Sequence, residues 1–425
     1  MIAWLLISFF VLLFLGVPIA MSLGLSAIGG ILFLGGGSTV TIAQRMFEGM
    51  NSFALLAIPL YTFAGFTMSK GGISKRLMDF CYSIVGHIYG GLAHVNVLSS
   101  MIFAGISGSA VADTAGVSGM FMPEMVRKGY SKNFTVAVTA ISSTIGIIIP
   151  PSIPMVVIAG ICGISTGKLF LGGIIPGVLC GLAQMIVSYF MAKKEGVPKE
   201  PGHFTIGPVL HGLWESWPAL LMPIIIVGTI TMGIVSPTEA GVIAVVYGLF
   251  AGGIIYRELK WEDIKFAFAE TVRTSGRIFI VIGAAKLYTV MLTTAGFDKW
   301  VAKTMLGFST NPTVILIMIL LIFFIVTMFM ESIATLTLFM PILYPMALGV
   351  GIDPIVLSVL ITVVIGVGLV TPPVGMCIYV ACDLMDVTVG EVFPTLVPFI
   401  AATFVCIALM VAFPQLILLP TYLMA

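Results

Sequence analysis

The stretch "GISGSAVADTAG", Gly105 to Gly116, places three glycines, two serines, a threonine and an aspartate in twelve residues. Apolar sequence flanks it on both sides, in a chain that is 59% hydrophobic and 9% charged. A mean hydropathy of +1.18 excludes an ordinary soluble domain. A bilayer core about 30 Å thick needs roughly 20 apolar residues per helical span. Many such segments follow one another over the 425 residues, which leaves no room for a separate soluble domain. The chain therefore reads as an all-α polytopic membrane protein. Irregular, polar backbone at membrane depth is tolerated only where protein buries it or where it lines a wet cavity. The glycines permit a tight turn, and the hydroxyls satisfy the groups that the turn frees.

Composition narrows the function. A net charge of +1 gives no sign of nucleic-acid binding. The first cation is Arg45, so no positive flank of a signal peptide precedes the first apolar run. The six cysteines lack CxxC spacing, and His87, His94, His203 and His211 form no metal-ligand pattern. The histidines therefore give no sign of metal-enzyme chemistry.

Along the chain, 2–36 splits at Gly16-Val17-Pro18 into two short helices, and a span over 52–69 follows. A hairpin fills 90–126, and 134–162 is an apolar helix broken at Pro150-Pro151. A span over 169–192 ends the first half, 1–192, and the proline-bearing loop 193–215 connects it to the second, 216–425. Spans over 216–235 and 239–256 come next, and 257–277 reads as an interfacial arm helix before a span at 277–296. A second hairpin fills 312–350, a second broken helix 354–384, and a last span 391–423. "SPTE", Ser236 to Glu239, is a helix-capping box, and Lys286 is a lone cation expected to snorkel or to pair with an acid.

The halves resemble each other. "FMP" at 121–123 recurs at 339–341, and "GIIIPPS" at 146–152 matches "GLVTPPV" at 368–374. The offsets are 218 and 222, and the first of them sets Asp113 on Glu331 and Thr114 on Ser332. With five spans and one acid-bearing hairpin per half, the second copy inserts upside down. The basic loops 70–76, 127–132, 193–199 and 257–265 then share the cytoplasmic side, with the N-terminus outside. Two hairpin tips facing two broken helices is a design of secondary transporters: helix N-termini face an anion and unwound carbonyls hold a cation.

The strings "SGSAVADTAG", "IIPPSIP" and "LVTPPVG" resemble the large membrane subunit of the tripartite ATP-independent periplasmic (TRAP) transporters. The resemblance covers essentially the whole chain. It implies a multi-pass protein of the bacterial inner membrane with a fixed scaffold and a moving elevator domain. It also implies Na⁺ as coupling ion, no cofactor, a small membrane subunit, a periplasmic substrate-binding protein, and an organic acid such as a C4-dicarboxylate or sialic acid. One departure is "MESIATL" at the second hairpin, where the family often has an aspartate followed by proline-containing residues.

On this reading one Na⁺ site uses Ser107, Ser109 and carbonyls near Gly146, Ile149 and Pro150, and the other uses Thr327, Gly368, Thr371 and Pro372. Substrate contacts are expected from Asp113, Thr114 and Ser152 and from Glu331, Ser332 and Thr335. An acid at membrane depth either contacts a ligand or caps a helix N-terminus, and both roles are open for Asp113 and Glu331. Other functions consistent with parts of the pattern are a stand-alone divalent-anion/sodium symporter, an intramembrane aspartyl protease using the two acids, and a channel. Neither acid carries a GxGD-type motif, and closed hairpin tips argue against a pore.

Overall fold

The computed structural model describes residues 1–34, 39–197 and 205–424. All regular structure among them is helical. The first ten helices are α1 (Ile2–Phe14), α2 (Ile19–Leu34), α3 (Thr39–Met50), α4 (Ala57–Lys70), α5 (Ile73–Val85), α6 (Gly91–Ser107), α7 (Ala110–Arg127), α8 (Lys132–Ser143), α9 (Ile153–Cys162) and α10 (Thr166–Glu195). They are followed by α11 (Ile206–Thr231), α12 (Pro237–Phe250), α13 (Trp261–Thr294), α14 (Phe297–Phe308), α15 (Pro312–Thr327), α16 (Ser332–Gly349), α17 (Pro354–Gly368), α18 (Met376–Met385) and α19 (Val389–Ala412). Part of the expected connecting loop, residues 198–204 with His203, lies outside the described residues.

Local chemistry accounts for many of these boundaries. Gly16, at φ +81°, separates α1 from α2. Three helices begin with a capping residue followed by proline: Ser236-Pro237, Asn311-Pro312 and Asp353-Pro354. In each, the proline sits where a helix has no use for an amide donor. The Ser236/Glu239 capping box forms as expected, with the Ser236 amide donating to Glu239 Oε2 at 2.7 Å. Among the described residues, seven helical segments are long and apolar enough to cross a membrane, including Phe53–Lys70 and α13.

Two sequence expectations need correction. The charged stretch 257–277 does not form a separate arm. It runs without a break into the next span as the 34-residue helix α13, about 51 Å long at 1.5 Å per residue. No proline interrupts it, and Gly276 alone, at a cost of about 1 kcal/mol, is too weak a breaker to end a helix of this length. The basic patch around Lys75 and Arg76 is not a loop. It lies on the amphipathic helix α5, where Arg76 pairs with Glu258 at 2.7 Å and lies 4.2 Å from the Tyr256 ring centroid. Lys286 packs its stem on α3, since a Cβ at Gly49 would lie 2.6 Å from Lys286 Cβ. On that helix a hydrogen bond from Arg45, and then the charge of Lys286, hold Glu48 below the usual carboxylate range.

The helices α6 to α10 and α15 to α19 correspond in order, and each of the second set starts 221 to 223 residues after its counterpart. The contacts exchange in the same way. Helix α7 packs on α18, while α16 packs on α9. Thr144, just after α8, meets Gly366 of α17: a Cβ at Gly366 would lie 3.3 Å from Thr144 Cβ. These two positions are themselves 222 apart, so the pieces cross at matched residues. Gly366→Val would press a branched side chain into this crossing and should cost about 1–3 kcal/mol. Thermal unfolding in detergent should show Gly366→Val several degrees below wild type and Gly366→Ala close to it.

Candidate functional site

The first hairpin turns at Gly108 and Ser109, between α6 and α7. Gly108 has φ +67°, and a Cβ there would lie 2.6 Å from the Pro151 carbonyl oxygen. Both facts require glycine. The turn is tied to the broken helix by the Ile153 amide, which donates to the Gly108 carbonyl at 3.1 Å. The break itself is the segment between a short 3₁₀ turn, Thr144–Ile147, and α9, and the Pro150-Pro151 bond in it is cis. Ser152 caps α9, accepting from the Met155 amide at 3.3 Å and donating to the Ile147 carbonyl at 2.5 Å.

Asp113 is buried one turn into α7. Ser107 donates a hydrogen bond to Asp113 Oδ1. Asp113 Oδ2 is also buried and has no hydrogen-bond partner among the described residues. It faces Gly146, where any Cβ would collide with it. Asp113 does not cap α7. Ser109 does, accepting from the Ala112 amide at 3.4 Å, and the Ser109 amide donates to Ser107 Oγ at 3.2 Å. Thr114 shares a 2.5 Å hydrogen bond with Ser143 of α8. The thiol of Cys377, from α18, lies beside this pair and close to Asp113. Ser107, Ser109, Asp113, Thr114, Gly146 and Ser152 thus converge on one place. The Ile149 side chain packs over Gly177 of α10.

The second hairpin is built on the same plan with a different acid placement. Its turn is Met328–Glu331, and the Val374 amide ties it to the second break by donating to the Met328 carbonyl at 2.9 Å. Glu331 is the N-cap of α16, accepting from the Ile333 and Ala334 amides at 3.1 and 3.3 Å and from Ser332 Oγ at 2.9 Å. Thr335 donates to the Glu331 carbonyl at 3.1 Å. Thr327 abuts Gly368, where a Cβ would lie 2.7 Å from Thr327 Cβ. Thr371 donates to the Val367 carbonyl at 2.7 Å, and the Pro372-Pro373 bond is cis.

The letter match at "FMP" therefore misaligns the hairpins by about one helical turn. Helices α7 and α16 start 222 residues apart. This puts Glu331 opposite Ser109, and Thr335 opposite Asp113. A helix presents like residues every three or four positions, so a three-letter apolar match is easily one turn out. Sequence reading missed Ser143 and Cys377. Both sit in apolar runs, and the Cys377 contact joins residues more than 230 positions apart in the chain, from opposite halves.

Comparison with known proteins agrees with this architecture. Residues 6–416 match the family "Tripartite ATP-independent periplasmic transporter, DctM component". The sialic acid TRAP transporter large permease protein SiaM of Vibrio cholerae is 35% identical over 96% of this chain and 95% of its own length. The C4-dicarboxylate TRAP transporter large permease protein DctM of Pseudomonas aeruginosa is 35% identical over 95% of this chain and 94% of its own. The isethionate TRAP transporter permease protein DctMQ of Oleidesulfovibrio alaskensis is 37% identical over 92% of this chain, which spans 62% of that protein. Among solved structures, the YdaH transporter of Alcanivorax borkumensis shares the fold, with a TM-score of 0.59 over 89% of this chain and 88% of its own, at 13% identity.

The capping geometry gives a test of Glu331. Glu331→Ala should lose about 1 kcal/mol, and Glu331→Asn should recover most of it, because asparagine caps a helix well. Thermal unfolding of the purified variants checks both.

Proposed function

The chain belongs to the DctM-component family of the tripartite ATP-independent periplasmic transporters, and we propose that it imports a small organic acid anion by coupling to Na⁺. As a large permease subunit it is a multi-pass membrane transporter and not an enzyme. The acid dyad that a protease would need is also disfavoured by the geometry, since Asp113 bonds to Ser107 and Glu331 caps α16.

The observation that carries the coupling proposal is the lone Oδ2 of Asp113. A buried carboxylate oxygen with no donor is costly. Na⁺ suits it because it is a hard cation that takes oxygen ligands, and the absent side chain at Gly146 lets the carboxylate lie against the broken helix. Ser107 and Ser109 add hydroxyl oxygens, and the break at Pro150 frees carbonyls nearby. Ser107 holds the other carboxylate oxygen and so fixes the direction of Oδ2. On the second side, Thr327, Gly368, Thr371 and Pro372 gather without a carboxylate, which leaves that cation site to neutral oxygens. Glu331, Ser332 and Thr335 at the N-terminus of α16 sit near the place for the anion, with Thr114 on the opposite hairpin and Ser152 at the first break. Relatives named for sialic acid and for C4-dicarboxylates support these two substrate classes.

Movement follows an elevator scheme on this proposal. The tip of the first hairpin rests on small contacts: a Cβ at Gly65 of α4 would lie 3.3 Å from Ser107 Cα, and one at Gly105 would meet Pro223 of α11. Such a surface has few interdigitated side chains to resist sliding. The exchanged contacts and the Thr144–Gly366 crossing support two copies related by a two-fold axis, and an odd number of spans per half would set that axis in the membrane plane and invert the second copy. Substrate comes from a periplasmic binding protein, and a small membrane subunit widens the scaffold.

The experiment is reconstitution of the chain with a small membrane subunit and binding protein encoded beside it. Uptake should require a Na⁺ gradient and both partners. Asp113→Asn should abolish it, and Ser109→Ala should raise the Na⁺ concentration for half-maximal uptake. Strong Na⁺-driven uptake by the chain alone would favour the stand-alone symporter, and uptake by Asp113→Asn at the wild-type rate would remove the carboxylate from coupling.

Topology has its own check. Single cysteines at Lys128 and Asn311, in a cysteine-free background, should react with an impermeant reagent from opposite faces of the membrane. Reaction of both from one face would refute the inversion.

A further inference from the structure

Helices α6 and α8 flank Asp113. Helix α6 ends at Ser107, which bonds Asp113 Oδ1, and α8 leads into the 3₁₀ turn Thr144–Ile147, whose Gly146 faces Oδ2. Away from the tip these two helices are bonded side chain to side chain. Asn96 of α6 donates to Thr139 Oγ1 of α8 at 2.7 Å and accepts from Ser142 Oγ at 3.1 Å. Ser142 Oγ in turn accepts from Ser100 Oγ at 3.0 Å. Asn96 Nδ2 also lies 3.7 Å from Met125 Sδ, so the same amide touches α7. Asn96, Ser100, Thr139 and Ser142 are all fully buried.

The second half packs the corresponding helices, α15 and α17, without such a bridge. At the 222-residue offset of α7 with α16 and of α8 with α17, the four polar residues become Met318, Ile322, Ile361 and Val364. Helix α15 is apolar from Val314 to Val326. Ser358 and Thr362 of α17 spend their hydroxyls on carbonyls of their own helix, those of Pro354 and Ser358. The fold therefore does not require polar residues at this crossing. They occur in the half whose hairpin tip leaves a carboxylate oxygen unbonded. Apolar neighbours can slide past one another at little cost, whereas a hydrogen bond has a set length and direction.

We propose that Asn96 and Ser142 are positioning residues for cation binding at Asp113: the Asn96–Ser142 bridge sets the gap between Ser107 and Gly146 in which Asp113 Oδ2 lies. Ser142 stands four residues before Gly146, and Ser100 stands seven residues before Ser107 on the same helix. Helix α6 also packs directly on the turn Thr144–Ile147, so a shift of one flank reaches the other. Neither residue touches the cation. The role rests on Na⁺ binding at Asp113 and adds the element that holds the two flanks at a fixed spacing.

The test is thermal unfolding of the purified full-length chain in NaCl against choline chloride at constant ionic strength. Na⁺ should stabilise wild type in a saturable way, and Asp113→Asn should remove the carboxylate's share of that shift. Asn96→Leu and Ser142→Ala should each raise the Na⁺ concentration for half-maximal stabilisation by about three- to tenfold, the range set by one or two interhelical hydrogen bonds in a membrane. The variant Asn96→Met/Ser100→Ile/Thr139→Ile/Ser142→Val gives this crossing the side chains of the second half. It should unfold in choline close to wild type and show the same rise. Ser142→Ala removes a single oxygen and decides the matter if the larger changes do not fold. A lower unfolding temperature in choline with an unchanged half-saturating Na⁺ concentration would make the bridge structural glue alone and overturn the positioning role. If Na⁺ does not stabilise wild type, or if Asp113→Asn responds as wild type does, cation binding at Asp113 fails and the positioning role fails with it.

Discussion

The amide of Ile153 donating to the carbonyl of Gly108 is the contact on which the first site depends. A buried turn frees backbone groups that solvent does not reach, and each must find a partner in protein. Here the turn of one element and the break of another satisfy each other. That pairing sets the hairpin tip against the broken helix, and so brings Asp113 to Gly146. The Val374 amide and the Met328 carbonyl perform the same service at the second hairpin. Gly108 and Gly146 are glycines because the contact leaves no volume for anything else.

The two acids differ because their helices receive them at different depths. At position 331 the carboxylate spends itself on the amides of its own helix, where the macrodipole favours a negative charge. At position 113 the cap is already provided by Ser109, so the carboxylate is left with one bonded and one unbonded oxygen. Identical architecture therefore yields one acid committed to structure and one available for chemistry. Choosing between these roles took the placement of a serine four residues away.

The fold class was legible because hydropathy and helix breakers act locally. Gly16, the cap–proline dipeptides and the two Pro-Pro pairs each mark a boundary close to where the structure has one. The first site was legible in outline, since Ser107, Ser109, Asp113 and Gly146 all converge. What sequence did not supply is rotational phase and long-range packing. The one-turn error at "FMP" arose because apolar helices repeat their own pattern. The stretch 257–277 is charged, yet charge on an exposed face does not interrupt helical hydrogen bonds, so from Trp261 it runs on into the span as α13. Cys377 was invisible because nothing in an apolar run states which distant helix it will touch.

The crossing of Thr144 over Gly366 bears on how the two halves of the chain can diverge. Residues at matched positions that touch each other form each other's surroundings, so a bulkier side chain in one copy demands a smaller one in the other. Thr144 and Gly366 already show that trade, one branched and one bare. Away from the crossing no such reciprocity holds, and each half is free to specialise. Evolutionary asymmetry should therefore be constrained and paired at the centre of the molecule and independent at the hairpin tips, where one copy keeps a serine and the other a glutamate.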